Sequence, residues 1–133
     1  MKKKARYRDI NDVIERHLKP RLESECQRLG IPESFIVGIY GIYPELDCSS
    51  CCEPIREGGK VREVRIRIDS EIRSSLVAAL HFWHEMRHAK DYYEDCKSSE
   101  GRAYLYMLKR GLEELVRPIT KNSWRIDLSR LRR

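Results

Sequence analysis

Apolar residues recur every three or four positions at Ile10, Val13, Ile14, Leu18, Leu22, Cys26 and Leu29, with His17 on the same face. This spacing predicts an amphipathic helix over residues 10–29. Asp9 is placed to cap its start, and Gly30 followed by Pro32 ends it. Pro20 lies inside the run, where it lacks an N–H and crowds the preceding turn, so it should kink or split the helix. Residues 35–43 are apolar and rich in β-formers, interrupted by Gly38 and Gly41. They read as a strand with a bulge or a close backbone approach. Residues 44–60 hold two prolines, two glycines and clustered cysteines, and read as a long loop. Val64, Ile66 and Ile68 then alternate with Arg65, Arg67 and Asp69, which predicts a half-buried strand.

The period changes after that strand. Ile72, Leu76, Ala79, Leu80, Trp83 and Arg87 step by three and four behind the capping candidates Asp69 and Ser70, which predicts a helix over residues 71–93. Residues 95–99 read as a turn, with Ser98 capping a further helix. That helix has the apolar stripe Leu105, Leu108, Leu112, Leu115 and Val116, and Pro118 ends it. In residues 119–133 only Trp124, Ile126 and Leu128 alternate. The pattern describes one α+β domain over residues 1–133: a small twisted sheet packed against helices.

Composition narrows the class. Of 133 residues, 41% are hydrophobic and 36% charged, enough for one modest core under a charged surface. The longest uncharged stretches, residues 34–44 and 74–84, fall short of the roughly 20 residues a membrane-spanning helix needs. No apolar stretch follows the N-terminal lysines, so no secretory signal is read and a cytoplasmic protein is expected. The net charge of +6 resides in the ends: residues 1–8 and 117–133 carry +5 each, which leaves −4 for the rest. Such ends suit either solvated tails or contact with nucleic acid. The cysteines are Cys26, Cys48, Cys51, Cys52 and Cys96. An odd number speaks against a disulfide scaffold. Cys48 and Cys51 have C-x-x-C spacing, open to a metal knuckle, a redox pair or plain thiols.

The chemistry centres on His84-Glu85-Met86-Arg87-His88, an H-E-x-x-H. Residues four apart share one helix face, so both imidazoles can reach one zinc ion. Glu85 lies beside that ion, where it can take a proton from the water the metal activates. A hydrolytic site needs a third protein ligand, and three acids compete: Glu100 at the start of the next helix, Glu94, and Asp91. Asp91, one turn past His88, is also placed to orient an imidazole from behind. His81, Tyr92, Tyr93, Tyr104 and Tyr106 are candidate donors to a developing oxyanion.

With Glu100-Gly101-Arg102-Ala103 as an E-x-x-A element after H-E-x-x-H, residues 64–116 resemble a gluzincin metallopeptidase. The chain is most similar to the minigluzincins, short soluble archaeal proteins that look like the catalytic core of HtpX-type membrane peptidases. The resemblance implies a minimal zincin fold and a zinc ion held by His84, His88 and Glu100. It implies Glu85 as general base and acid, and endopeptidase hydrolysis of peptide or protein substrates. It also implies that the strand over 64–69 forms the cleft rim, to which extended peptide adds as a strand. Family members are latent, with a terminal segment lying in the cleft, a role for which residues 119–133 are the candidate. Two rival readings are a SprT-like peptidase recruited to nucleic acid by the basic ends, and a zinc-binding module without turnover.

Overall fold

In a computed structural model that describes residues 10–42 and 50–118, the chain forms three helices and a three-stranded mixed sheet. The strands are β1 (Ile36–Ile42), β2 (Cys51–Glu57) and β3 (Lys60–Asp69), in the order β1-β3-β2. β1 runs parallel to β3 and β2 antiparallel to it. The alternation in β3 acts as expected: Val64, Ile66 and Ile68 are fully buried, and the arginines between them lie partly in solvent. The β1 register slips between Ile36 and Gly38, which is the expected bulge. At Gly41 the close approach is real, since an added Cβ would sit 2.5 Å from Cγ2 of Ile10.

β2 corrects the reading of residues 44–60 as loop. Gly58 (φ 62°) and Gly59 (φ 82°) close a two-residue hairpin between β2 and β3. Two consecutive left-handed residues are what such a turn demands. Pro54 sits within β2, opposite Val64. It is tolerated there because β2 is the edge strand among the described residues, where a missing N–H on the side away from β3 costs no ladder bond.

The first helical run, α1, covers residues 10–29. It is α-helical over Ile10–Val13, widens to a π-helix over Ile14–Leu18, tightens to a 3₁₀ turn over Lys19–Arg21, and is α-helical again over Leu22–Leu29. Pro20 sits in the tightened turn, so the expected break is absorbed without ending the run. Gly30 (φ 75°) closes α1 in the left-handed conformation, its N–H donating to the carbonyls of Cys26 and Gln27. His17 is exposed, contrary to its assignment to the apolar face, and Glu25 is buried instead.

The second helix, α2, spans Ser75–Tyr93, starting later than predicted. Ser74 is extended, and its Oγ accepts the N–H of Val77 at 3.2 Å. Asp69 caps a separate turn, accepting the N–H of Glu71 at 2.9 Å. The face of α2 that enters the core includes Ala78, Phe82, Trp83, Met86 and Ala89, while Leu76 is exposed.

The third helix, α3, spans Glu100–Pro118, and its apolar stripe points outward. Leu105, Leu108, Leu112, Leu115 and Val116 face solvent. The inward face presents Ala103, Arg110 and Gly111, with Tyr106 partly buried. Polar pairing decides the orientation. The Arg110 guanidinium lies 4.9 Å from the Trp83 ring centroid and 3.2 Å from Glu25 Oε1, and it also pairs with Glu113 and Glu114. Tyr106 donates its hydroxyl to Glu25. Gly111 lets α3 close on α2, since a Cβ there would meet Leu80 Cδ2 at 3.1 Å. The Asp9 cap, Cys48, the cleft-covering role of residues 119–133 and nearly all of both basic ends lie outside the described residues.

Candidate metal centre

α2 carries the H-E-x-x-H residues on the part of its surface that faces α3 and the end of β2. Its spacing stacks His84 and His88 one turn apart, with ring centroids 4.9 Å from one another. His84, Glu85 and His88 are all buried, and their ligand atoms lie within 4.8 Å of one another. Such a group could hold a metal ion. Among the described residues that group includes no cysteine.

Glu100, the first residue of α3, reaches the same point. Its Oε1 lies 3.0 Å from Nε2 of His84 and its Oε2 3.2 Å from Nε2 of His88. Burial, and secondarily the neighbouring His88, push the His84 imidazole below its ordinary value while Glu100 opposes them. A neutral ring offers a lone pair, as metal ligation requires. Two imidazole nitrogens and a carboxylate converging on one spot are a donor set suited to a divalent cation.

The turn between the helices sets this meeting. Ser99 caps α3, its Oγ accepting the N–H of Arg102 at 3.1 Å. Ser98, expected to be that cap, instead shares a 2.8 Å hydrogen bond with Nδ1 of His88 and so directs Nε2 toward the cleft. Asp91 does not take the imidazole-orienting role expected of it. Its buried carboxylate accepts from Arg87 at 2.7 Å and from the Ser99 N–H at 3.2 Å, and pairs with Arg102 at 3.3 Å. It fastens the end of α2 to the start of α3. Glu94 turns to Lys90, 2.8 Å away.

A cleft of about 360 Å³ opens over these residues. Cys51 and Cys52 of β2 form one wall, His81 and Tyr92 of α2 another, and Tyr104 and Met107 of α3 a third. The strand at the rim is therefore β2. The expectation placed β3 there, but β3 is central and paired on both sides. Of the oxyanion-donor candidates, His81, Tyr92 and Tyr104 line the cleft. The Tyr104 ring packs edge-on against His84 at 4.4 Å. Tyr93 packs on Phe35 and Tyr106 on Glu25.

No family model, curated protein or solved structure matches the chain. The site therefore rests on its own chemistry.

Two electrostatic features stand out. Burial, reinforced by the Glu100 charge, pushes the Glu85 carboxyl up to about 8. His81 is held below its ordinary value by burial, against the pull of Asp69. Its Nδ1 lies 2.6 Å from Ser50 Oγ, which also accepts the Asp69 N–H at 2.8 Å. The imidazole contacts of Ser50 and Ser98 escaped sequence reasoning. Both are short polar residues in connecting segments, and only the fold reveals which imidazole each one meets.

Proposed function

We propose that the protein is a zinc-dependent metallopeptidase of the gluzincin type on a minimal zincin fold. The observation that carries this reading is the convergence of both Glu100 oxygens on the Nε2 atoms of His84 and His88, beside buried Glu85 in an open cleft. His84, His88 and Glu100 would hold the ion, and imidazole with carboxylate suits zinc. Zinc, when bound, supplies Lewis acidity and lowers the pKa of a water toward about 7.

The chain's own residues supply the rest. Glu85 is one position along from His84, so its carboxylate lies beside the ligand set. Next to a divalent cation it would regain its charge, take a proton from the attacking water on a carboxylate oxygen and return it to the leaving amine. In the tautomer where Ser50 donates to Nδ1, the Nε2–H of His81 is a donor to charge developing on a carbonyl oxygen. Tyr104 is a second candidate donor. Among the described residues β2 has one strand partner, β3, and its other edge is where an extended peptide would pair.

The test is metal analysis joined to peptide hydrolysis. The purified protein should hold one zinc per chain, and His84→Ala or His88→Ala should lose it. Glu100→Ala should weaken it, and Glu94→Ala should leave it unchanged. Glu85→Gln should keep the zinc and abolish hydrolysis. Full zinc in both histidine variants would refute the site, and hydrolysis by Glu85→Gln would refute the mechanism.

A further inference from the structure

We propose that two copies of this chain pair through the outward face of α3, with Leu105, Leu108, Leu112 and Leu115 as the seam. The four leucines follow a 3-4-3 spacing, the a/d repeat with which one helix seats against another. In one copy they are 68%, 55%, 64% and 60% exposed, and Tyr104 and Val116 extend the same face at 54% and 46%. A soluble protein seldom leaves so continuous a row of large apolar side chains in water.

The helix cannot bury this row by rolling over. Its other face is committed: Ala103 is fully buried, Gly111 permits close contact with Leu80, and Arg110 is held by Glu25 and the Trp83 ring. Rolling α3 would strand the Glu25 carboxylate in the core without its cation.

The area selects the occupant. At the fractions above the six residues expose roughly 650 Å², so burying all of it against the same face of a second copy brings the total to at most about 1,300 Å², at the lower end of the range for a stable interface. A two-fold contact requires a patch that complements itself, and a row of leucines does so because each leucine packs best against another. Tyr104 belongs both to this face and to the cleft wall, so the pairing surface ends at the rim of the metal centre. The pairing requires neither the metal nor the proposed reaction.

The experiment is sedimentation equilibrium of the full chain, with Leu108→Glu/Leu112→Glu and the milder Leu108→Gln/Leu112→Gln beside it. The wild type should reach the two-copy mass at about 10 µM, an affinity ordinary for an interface this size. The Glu pair should weaken association about 100-fold or more, since it places charges in the seam's centre. The Gln pair should weaken it less. Circular dichroism and melting of a single copy should stay unchanged in both, because these side chains are in solvent there. A wild type that keeps the one-copy mass to about 200 µM overturns the proposal, as does either pair retaining wild-type association. Hydroxyl-radical footprinting of the Leu105, Leu108, Leu112 and Leu115 side chains gives the other decisive outcome. Low reactivity of these side chains in a one-copy species would assign the cover to residues 119–133 and overturn the second copy.

Discussion

Replacing Glu85 by Gln should stabilise the metal-free protein progressively as the pH rises. Glu85 is 6% exposed, and burial with the Glu100 charge raises its pKa from 4.5 to about 8. The folded state therefore prefers the protonated carboxyl. Its contribution is fully present below the unfolded pKa near 4.5 and is lost as pH rises through the folded value of about 8. Each pH unit in that window costs about 1.4 kcal/mol, so at pH 7 the wild type gives up about 3 kcal/mol relative to acid pH. Glutamine has nearly the same shape and cannot ionise. The stability difference between variant and wild type should climb by that amount from pH 4.5 to 7 and level off above pH 8.

Urea denaturation of both proteins in chelator, from pH 4.5 to 9, reads this directly. His81 and His84 shift the opposite way: their lowered pKa values give stability that is present above 6.5 and lost as pH falls. They occur in both proteins and cancel in the difference, as does the raised Glu25. With saturating zinc the difference should shrink, because a cation beside Glu85 compensates its charge. A difference that stays flat from pH 5 to 8 in chelator would refute the claim that Glu85 is buried without a compensating charge.

Three further outcomes follow from individual contacts. Ser98→Ala removes the hydrogen bond to Nδ1 of His88 and should lower zinc affinity about 10- to 100-fold in competition titration; unchanged affinity would deny Ser98 its orienting role. Arg110→Ala leaves Glu25 buried without the cation it pairs with and should cost about 3–5 kcal/mol in denaturant, most of it recovered in Arg110→Met/Glu25→Leu; a loss under 1 kcal/mol would mean that α3 is held otherwise. His81→Phe should lower kcat on peptide by about 100-fold with zinc content and KM nearly unchanged; a change in KM alone would make His81 a binding residue.

Sequence patterns revealed some of this and concealed the rest for identifiable reasons. The alternation of Val64, Ile66 and Ile68 was readable because one face of β3 is dry, and the His84 and His88 pair because the helical period places both on one side. β2 was masked by Pro54 and the cysteines, although Gly58-Gly59 is a recognised hairpin signal. The leucine stripe of α3 was legible, but the side it faces was not. The periodicity was correct, but it could not tell which side of the helix meets the protein. That was decided by a buried ion pair between Glu25 and Arg110, residues far apart in sequence and individually indistinguishable from surface charges. Ser98 meets the imidazole expected of Asp91, and Ser99 takes the capping role expected of Ser98, for a similar reason, since helical spacing alone does not register the path of a turn.

That turn links the motif's non-ligand positions to its chemistry. Arg87, inside H-E-x-x-H, is not aimed at the candidate ligands. It grips Asp91, and Asp91 in turn holds the Ser99 N–H at the mouth of α3. Ser99 is the cap that fixes where α3 begins, and α3 begins with Glu100. The position of Glu100 is thus governed through Arg87, Asp91 and Ser99 from the same helix that carries His84 and His88. Glu100 is otherwise poorly anchored, with its side chain 70% exposed. A ligand so exposed keeps its place only if its backbone is held, and the backbone here is held by a buried carboxylate one turn beyond His88. Arginine between the two histidines is thereby accounted for as part of the support for the third donor.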